Sequence, residues 1–166
     1  MNADGMERWL NESKDAQVLL NAIFALIHPK LHSAAQKTLS DLRQHPDSAK
    51  WANRWTSVFS GIAVIYNRIA PAHVDRWSSP SWYDLLVILG NFDESRMELN
   101  NLGLSFKHTQ GTVLAFCGKV LRHSVPDWSH GDRVCYAHFL RKSTVEYFSN
   151  CVTDWMTQDL FLEHLQ

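Results

Sequence analysis

The sequence predicts an α+β protein, a double-stranded β-helix (jelly roll) of eight strands flanked by N-terminal and C-terminal helices. Three observations predict it. Residues 15–44 place apolar side chains at helical spacing, and the period changes near residue 57 to short β-branched and aromatic runs. Eight such runs, separated by turn residues, fit within about 85 residues, which suits a jelly roll.

The elements follow in order. "DAQVLLNAIFALIH" carries a broad apolar face, with Ser13 or Asp15 as its N-cap and Pro29 as its interruption. "HSAAQKTLSDLRQ" continues as a more polar helix that stops near "HPDS", and a short helix or turn carries Trp51 and Trp55. "SVFSGIAVIYNR" reads as a buried strand, followed by strands at "HVDRW", "WYDLLVILG", "RMELN", "LSFKH", "GTVLAFCG", "VLRHSV" and "RVCYAHFL". The breaks between them (SSP, GNFD, NNLG, TQG, GK and PDWSHGD) hold turn-forming residues. From Ser143 onward Val145, Phe148, Val152, Trp155 and Met156 recur at helical spacing.

The bulk properties narrow the class. A chain of 166 residues suits one domain, with 1–56 as helical support, 57–142 as the β core and 143–166 as a C-terminal helix. A net charge of −1 offers no field for a nucleic-acid backbone or an anionic membrane. Cys117, Cys135 and Cys151 are an odd set without C-x-x-C spacing, so neither a disulfide framework nor a zinc site is expected. That usage suits an intracellular compartment, nuclear or cytoplasmic. The polar start "MNADGMERWLNESKD" is unlike a signal peptide, and no apolar run reaches the ~20 residues of a membrane span.

One constellation carries chemistry. His73 and Asp75 fall where the first strand gives way to the second, His123 lies on the seventh, and Arg133 opens the eighth. In a jelly roll the second and seventh strands can be neighbours, which would bring His73, Asp75 and His123 to one mouth. Two imidazoles and a carboxylate on one face of a metal form the facial triad of non-haem Fe(II) oxygenases, which leaves coordination positions open. Arg133 adds a planar fork of donors matched to a carboxylate.

The strings "GIAVIYNRIAPAHVDRWSSPSWYDLLVILG" and "GTVLAFCGKVLRHSVPDWSHGDRVCYAHFLR" resemble the Fe(II)/2-oxoglutarate-dependent dioxygenase superfamily, in particular the TET/JBP-like branch abundant in mushroom-forming fungi. The likeness covers roughly residues 57–142, and the helical ends carry little of it. It implies that His73, Asp75 and His123 ligate Fe(II) and are the catalytic centre, and that Arg133 pairs with the distal carboxylate of 2-oxoglutarate. Asn67, in "YNR", falls where the family often has a polar residue facing cosubstrate or substrate. The resemblance further implies O2-dependent conversion of 2-oxoglutarate to succinate and CO2, coupled to hydroxylation of a C–H bond. The best-matching substrate is the methyl group of a modified nucleobase in DNA or RNA, with nucleic acid as partner. Hydroxylation of a small molecule or protein side chain is the alternative enzyme reading, and a non-catalytic jelly-roll module is the alternative from another class.

The remaining candidates have bland readings beside the sharp ones. Trp77, Trp82 and Tyr83 follow the motif as candidate substrate contacts. Trp77, in the polar "RWSSPS", suits stacking on a planar substrate, whereas core packing competes for Trp82 and Tyr83. His138 alternates to the face opposite Arg133, while Cys135 shares that residue's face and either lines a pocket or packs in the core. His130 reads as a loop histidine, and His108 has no partner visible in sequence. Lys119, Arg122, Arg141 and Lys142 form the nearest approach to a basic cluster.

Overall fold

The computed structural model describes residues 3–152 and 154–164. They form two compact units, one of residues up to 60 together with those from 143 onward, the other Gly61–Lys142.

The first unit is helical: α1 (Ala3–Glu12), α2 (Lys14–Ile27), α3 (Pro29–Gln44), α4 (Ala49–Ala52), α5 (Lys142–Tyr147) and α6 (Gln158–His164). The polar N-terminal stretch, for which sequence suggested no element, is helical as α1. Ser13 takes the N-cap position of α2, but its hydroxyl donates back to Leu10 O instead of capping. Pro29 ends α2 as expected and also opens α3, where its missing N–H costs nothing. Buried His28 joins the two helices, accepting at Nδ1 from Leu31 N. Phe24 and Phe59 are fully buried with ring centroids 4.5 Å apart.

The single C-terminal helix expected over 143–166 is instead two short ones, α5 and α6. Ser149 adopts φ 56°, and Asn150 N donates to Val145 O, so the chain leaves α5 through a Schellman-like left-handed turn. The Asn150 side chain fixes that exit by donating to Thr38 Oγ1 and Asp41 Oδ2. Thr153 and the last two residues of the expected helix lie outside the described residues.

The second unit is two antiparallel sheets. One has the order β1 (Gly61–Tyr66), β9 (Arg133–Phe139), β3 (Asp84–Gly90), β6 (Val113–Phe116). The other has the order β2 (Ala70–His73), β7 (His123–Val125), β4 (Glu94–Leu99), β5 (Leu104–Lys107), and β8 (Trp128–Ser129) also pairs with β4. β8 lies in the "PDWSHGD" stretch that sequence reads as a turn. The first strand begins at Gly61, not Ser57. The second ends at His73, because Asp75 N–H turns away to donate to Gly118 O.

The core lies between the sheets. Met97, Leu99 and Val125 of one pack with Phe116, Leu86 and Leu114 of the other. A second cluster joins Ile88, Phe92 and Cys135, with Ile65 and Trp128 against it. These residues alternate with outward-facing ones along each strand, and that alternation assigns the site residues to their face. On β9 the inward set is Arg133, Cys135, Ala137 and Phe139; on β3 it is Asp84, Leu86 and Ile88.

Candidate metal centre and its pocket

β2 and β7 are hydrogen-bonded neighbours, and His73 stands directly opposite His123 in their register. The imidazole centroids are 4.2 Å apart. Asp75, just past the end of β2, turns its carboxylate to both rings: Oδ1 is 3.6 Å from His73 Nε2, and Oδ2 is 3.9 Å from His123 Nε2. One ligand atom from each residue lies within 4.8 Å of the other two, close enough for the group to hold a metal ion.

The outer nitrogens decide which lone pairs are offered. His73 Nδ1 lies 2.7 Å from Pro71 O, and His123 Nδ1 lies 2.8 Å from Leu121 O. A carbonyl oxygen only accepts, so each Nδ1 carries the proton and each Nε2 presents a lone pair toward Asp75. The same i−2 carbonyl serves both rings, so each histidine is oriented by the chain just before it. Phe116 packs edge-on against His123, which is 7% exposed. Burial lowers the His123 pKa, keeping the ring in the neutral form that a metal needs. Nitrogen and carboxylate donors at three positions fit an Fe(II) ion with positions left open.

Gly118 makes room for this arrangement. A Cβ there would collide with Asp75 Oδ2 and stand 2.9 Å from Asp84 Oδ2. Gly118→Ala must therefore displace the Asp75 carboxylate, and we expect Fe(II) affinity to fall about 10- to 100-fold with the fold retained. Parallel iron-binding and thermal-unfolding measurements check this; unchanged iron affinity would show that Asp75 does not need its present position.

Arg133 sits at the start of β9, 3% exposed, with no carboxylate partner among the described residues. Among the described residues no ion pair joins Arg133 to the neighbouring Asp132 or Asp127. Asp132 is engaged instead by Tyr66 and Asn67, whose hydrogen bonds hold its carboxyl below the usual range. The Arg133 guanidinium donates through Nη2 to His108 Nδ1 at 3.3 Å. His108, fully buried, has its pKa pushed down to about 4, by burial first and then by the Arg133 charge, so it is neutral at physiological pH. With Nδ1 accepting, its Nε2 carries the proton. His108 Nε2 and Arg133 Nε are thus two buried donors, neither with a partner. Unsatisfied donors in a protein interior cost ~1–3 kcal/mol each, and an anion with several acceptor oxygens could satisfy both.

The other sequence candidates sort differently. Asn67, at φ 45°, accepts at Oδ1 from Arg133 N and donates from Nδ2 to Asp132, so its amide holds the start of β9 and reaches a ligand only through Arg133. Trp82 is 1% exposed, enclosed in the core where substrate cannot reach it, which corrects its assignment as a substrate contact. Tyr83 is half-buried and outside the cavity described next. Trp77, 75% exposed, is on that cavity's rim. Cys135 packs with Ile88 and Phe92, and burial pushes its thiol up to about 11. His138 faces away from Arg133 and bonds Leu85 O, while exposed His130 meets Asp93 at 3.4 Å. Lys119 Nζ donates to Arg76 O.

A cavity of about 260 Å³ opens beside the cluster, lined by Asp75, Arg76, Trp77, Ser78, Asp84, Leu86, Phe139 and Arg141 among others. The Phe139 ring lies across Gly61, where a Cβ would meet it at 2.6 Å. Asp84 went unremarked in sequence because it sits within the apolar run "WYDLLVILG". Burial first, and the Asp75 charge second, raise its carboxyl to about 8. Its inward position, two residues before Leu86, is the signal that alternation offered. His108 and Gly118 had no comparable signal, since their roles come from neighbours distant in sequence.

Comparison with known proteins agrees with this geometry. A search of curated proteins finds no match. Among solved structures, the chain is similar to NgTET1 in complex with 5mC DNA, with a TM-score of 0.51 and 21% identity, covering 77% of this chain and 49% of that one. It thus spans about half the length of that relative, and the likeness is one of fold: mixed helices and antiparallel sheets. The family model for the oxygenase domain of the 2OGFeDO superfamily matches residues 2–142, reaching through the N-terminal helices that sequence likeness left out. With that match over most of its length, and a His–Asp–His cluster in the matched region, the chain belongs to the Tet/JBP family of oxygenases.

Proposed function

We propose that this chain is an Fe(II)- and 2-oxoglutarate-dependent dioxygenase that hydroxylates the methyl group of a modified nucleobase in nucleic acid, on a double-stranded β-helix core. The observation that carries the proposal is the meeting of His73, Asp75 and His123, with both Nε2 lone pairs turned toward the one carboxylate.

His73, Asp75 and His123 would hold the iron, and iron with 2-oxoglutarate and O2 supplies the oxidising power that converts a C–H bond to C–OH. The protein's own groups do the rest. Arg133 and His108 present their unpartnered N–H donors to the distal carboxylate of 2-oxoglutarate, a charge-assisted contact in a water-poor setting. Asn67 keeps Arg133 in place through the β9 backbone. The Pro71 and Leu121 carbonyls hold the ring tautomers. Leu86 and Phe139 give the adjoining cavity apolar walls suited to a planar ring, and exposed Trp77 stands at its mouth.

The nucleic-acid part of the reading is supported by family membership and by the fold shared with a protein whose structure holds 5mC DNA. A base must leave its stack to enter a pocket of this kind. Arg76 and Arg141 line the cavity and offer cations for the flanking phosphates in a chain of net charge −1. Binding to a methylated oligonucleotide should therefore weaken as salt is raised, with a shallow slope of a few phosphate contacts. Affinity that is weak and independent of salt would favour a small-molecule or protein substrate. Mass spectrometry of nucleosides after incubation with enzyme, Fe(II), 2-oxoglutarate and O2 tests the activity itself, and the expected product is a hydroxymethylated or demethylated base.

A further inference from the structure

β1 is an open edge. It ends its sheet, with β9 on one side and no strand on the other among the described residues. Ala63 and Val64 point to opposite faces of the sheet, and both are exposed, so the middle of the strand is uncovered.

The backbone groups that face outward follow from the ladders. Opposed residues of an antiparallel pair alternate between exchanging hydrogen bonds and exchanging none. Asn67 N donates to Arg133 O, so in the same register Ile65, Ala63 and Gly61 bond to β9. The other side of β9 agrees. Ile88 donates to Thr112 O and accepts from Gly111 N, so β3 turns its alternate residues Leu85, Val87 and Leu89 to His138, Tyr136 and Val134. The N–H and C=O of Ile62, Val64 and Tyr66 are therefore directed at the open edge.

Sheet edges are usually protected by charge, proline, irregularity or brevity. β2 has Pro71 and a shifted register, β5 has Lys107, and β2, β5 and β6 are each four residues long. β1 runs six residues in unbroken register, and no charged residue occurs from Ser57 to Asn67. Val64 and Tyr66 are 53% and 59% exposed.

The order of the residues selects the occupant. A twofold axis at Val64 sets Val64 opposite Val64 and Tyr66 opposite Ile62, the β-branched and aromatic pairs that antiparallel sheets favour. A strand of unrelated sequence would gain the backbone bonds without that match. We propose that β1 pairs antiparallel with β1 of a second copy of this chain, joining two four-stranded sheets into one. In the same register the partner's Ile65 falls beside Ala63. Ala63 and Ile65 line the cavity next to the metal cluster, so each copy extends the apolar wall of the other's cavity. One six-residue strand pair buries less than the ~800 Å² per partner of a standard interface, so the dimer dissociates on dilution, with a Kd on the order of micromolar.

Sedimentation velocity between about 1 and 100 µM protein tests this, with thermal unfolding and Fe(II) binding as controls. The wild type should pass from monomer to dimer over that range. Val64→Lys and Val64→Glu each set like charges face to face at the twofold and should stay monomeric. Both should fold and bind iron as the wild type does, because the Val64 side chain is exposed on the face away from the cavity. Mixing the two variants should restore the dimer, since lysine then meets glutamate. Val64→Pro should also stay monomeric, because the N–H it loses faces the edge and not β9. A wild type that is monomeric at about 100 µM overturns the proposal and leaves the edge to a strand of another protein. A dimer that persists in Val64→Lys, or a mixture of the charged variants that stays monomeric, overturns it as well, because Val64 would not then face its own copy.

Discussion

His123→Ala should reduce Fe(II) binding by well over about 100-fold and abolish oxidation of any substrate. Altering an outer-shell partner of a metal ligand costs roughly 10- to 100-fold, and losing a ligand outright costs more. His123 is the most buried member of the cluster, held between the Leu121 carbonyl just before β7 and the Phe116 ring, so no neighbour can replace its nitrogen. The substitution leaves a small cavity next to Phe116 and Leu99, and a modest loss of stability is expected alongside. Iron content after anaerobic loading, measured with thermal unfolding, separates the two effects. A variant that stays folded and binds iron normally would remove His123 from the ligand set.

Arg133→Ala has the next largest expected effect, on 2-oxoglutarate and not on iron. Truncating one side of a buried, hydrogen-bonded charge pair typically costs 2–5 kcal/mol or more, and about 3 kcal/mol is already over 100-fold in affinity. The variant should bind Fe(II) as the wild type does and need at least about 100-fold more 2-oxoglutarate. Arg133→Lys should recover only part of the loss, since an ammonium cannot present two parallel donors to a carboxylate. His108→Phe, which removes the second open donor at similar size, should weaken 2-oxoglutarate by a smaller factor. If apparent 2-oxoglutarate affinity is unchanged in Arg133→Ala, the open donors of Arg133 and His108 serve another anion.

The four residues at the centre of this account could be named from the sequence because their chemistry is unusual where they stand. A histidine two residues from an aspartate at a strand end says little alone; a second histidine on a later strand and an arginine opening the last strand, at the spacing of the resembling family, single the four out. Strand alternation then assigned Arg133 and Cys135 to one face and His138 to the other, as the structure has them. What sequence could not carry is set by contacts across the fold. Asp84 draws no notice inside an apolar strand, and only the fold shows that it lines the cavity and lies near Asp75. His108 matters because its ring meets Arg133, 25 residues away in the chain. Gly118 matters for the space it leaves empty. Trp82 shows the opposite case: an aromatic next to a functional motif suggests a substrate contact, but its side chain is enclosed in the core just ahead of β3. The C-terminal helix failed for a local reason, the left-handed Ser149, which apolar periodicity does not register.

The central claim is that two imidazoles and one carboxylate hold iron while a guanidinium with an open Nε donor seats the cosubstrate. Anaerobic titration of the protein with Fe(II) and then 2-oxoglutarate, followed by visible absorption, tests it most directly. The account predicts a weak charge-transfer band that needs both components, saturates at equimolar iron and 2-oxoglutarate, and is missing from His123→Ala. Binding of 2-oxoglutarate that is indifferent to iron, or no band at any concentration, would contradict it.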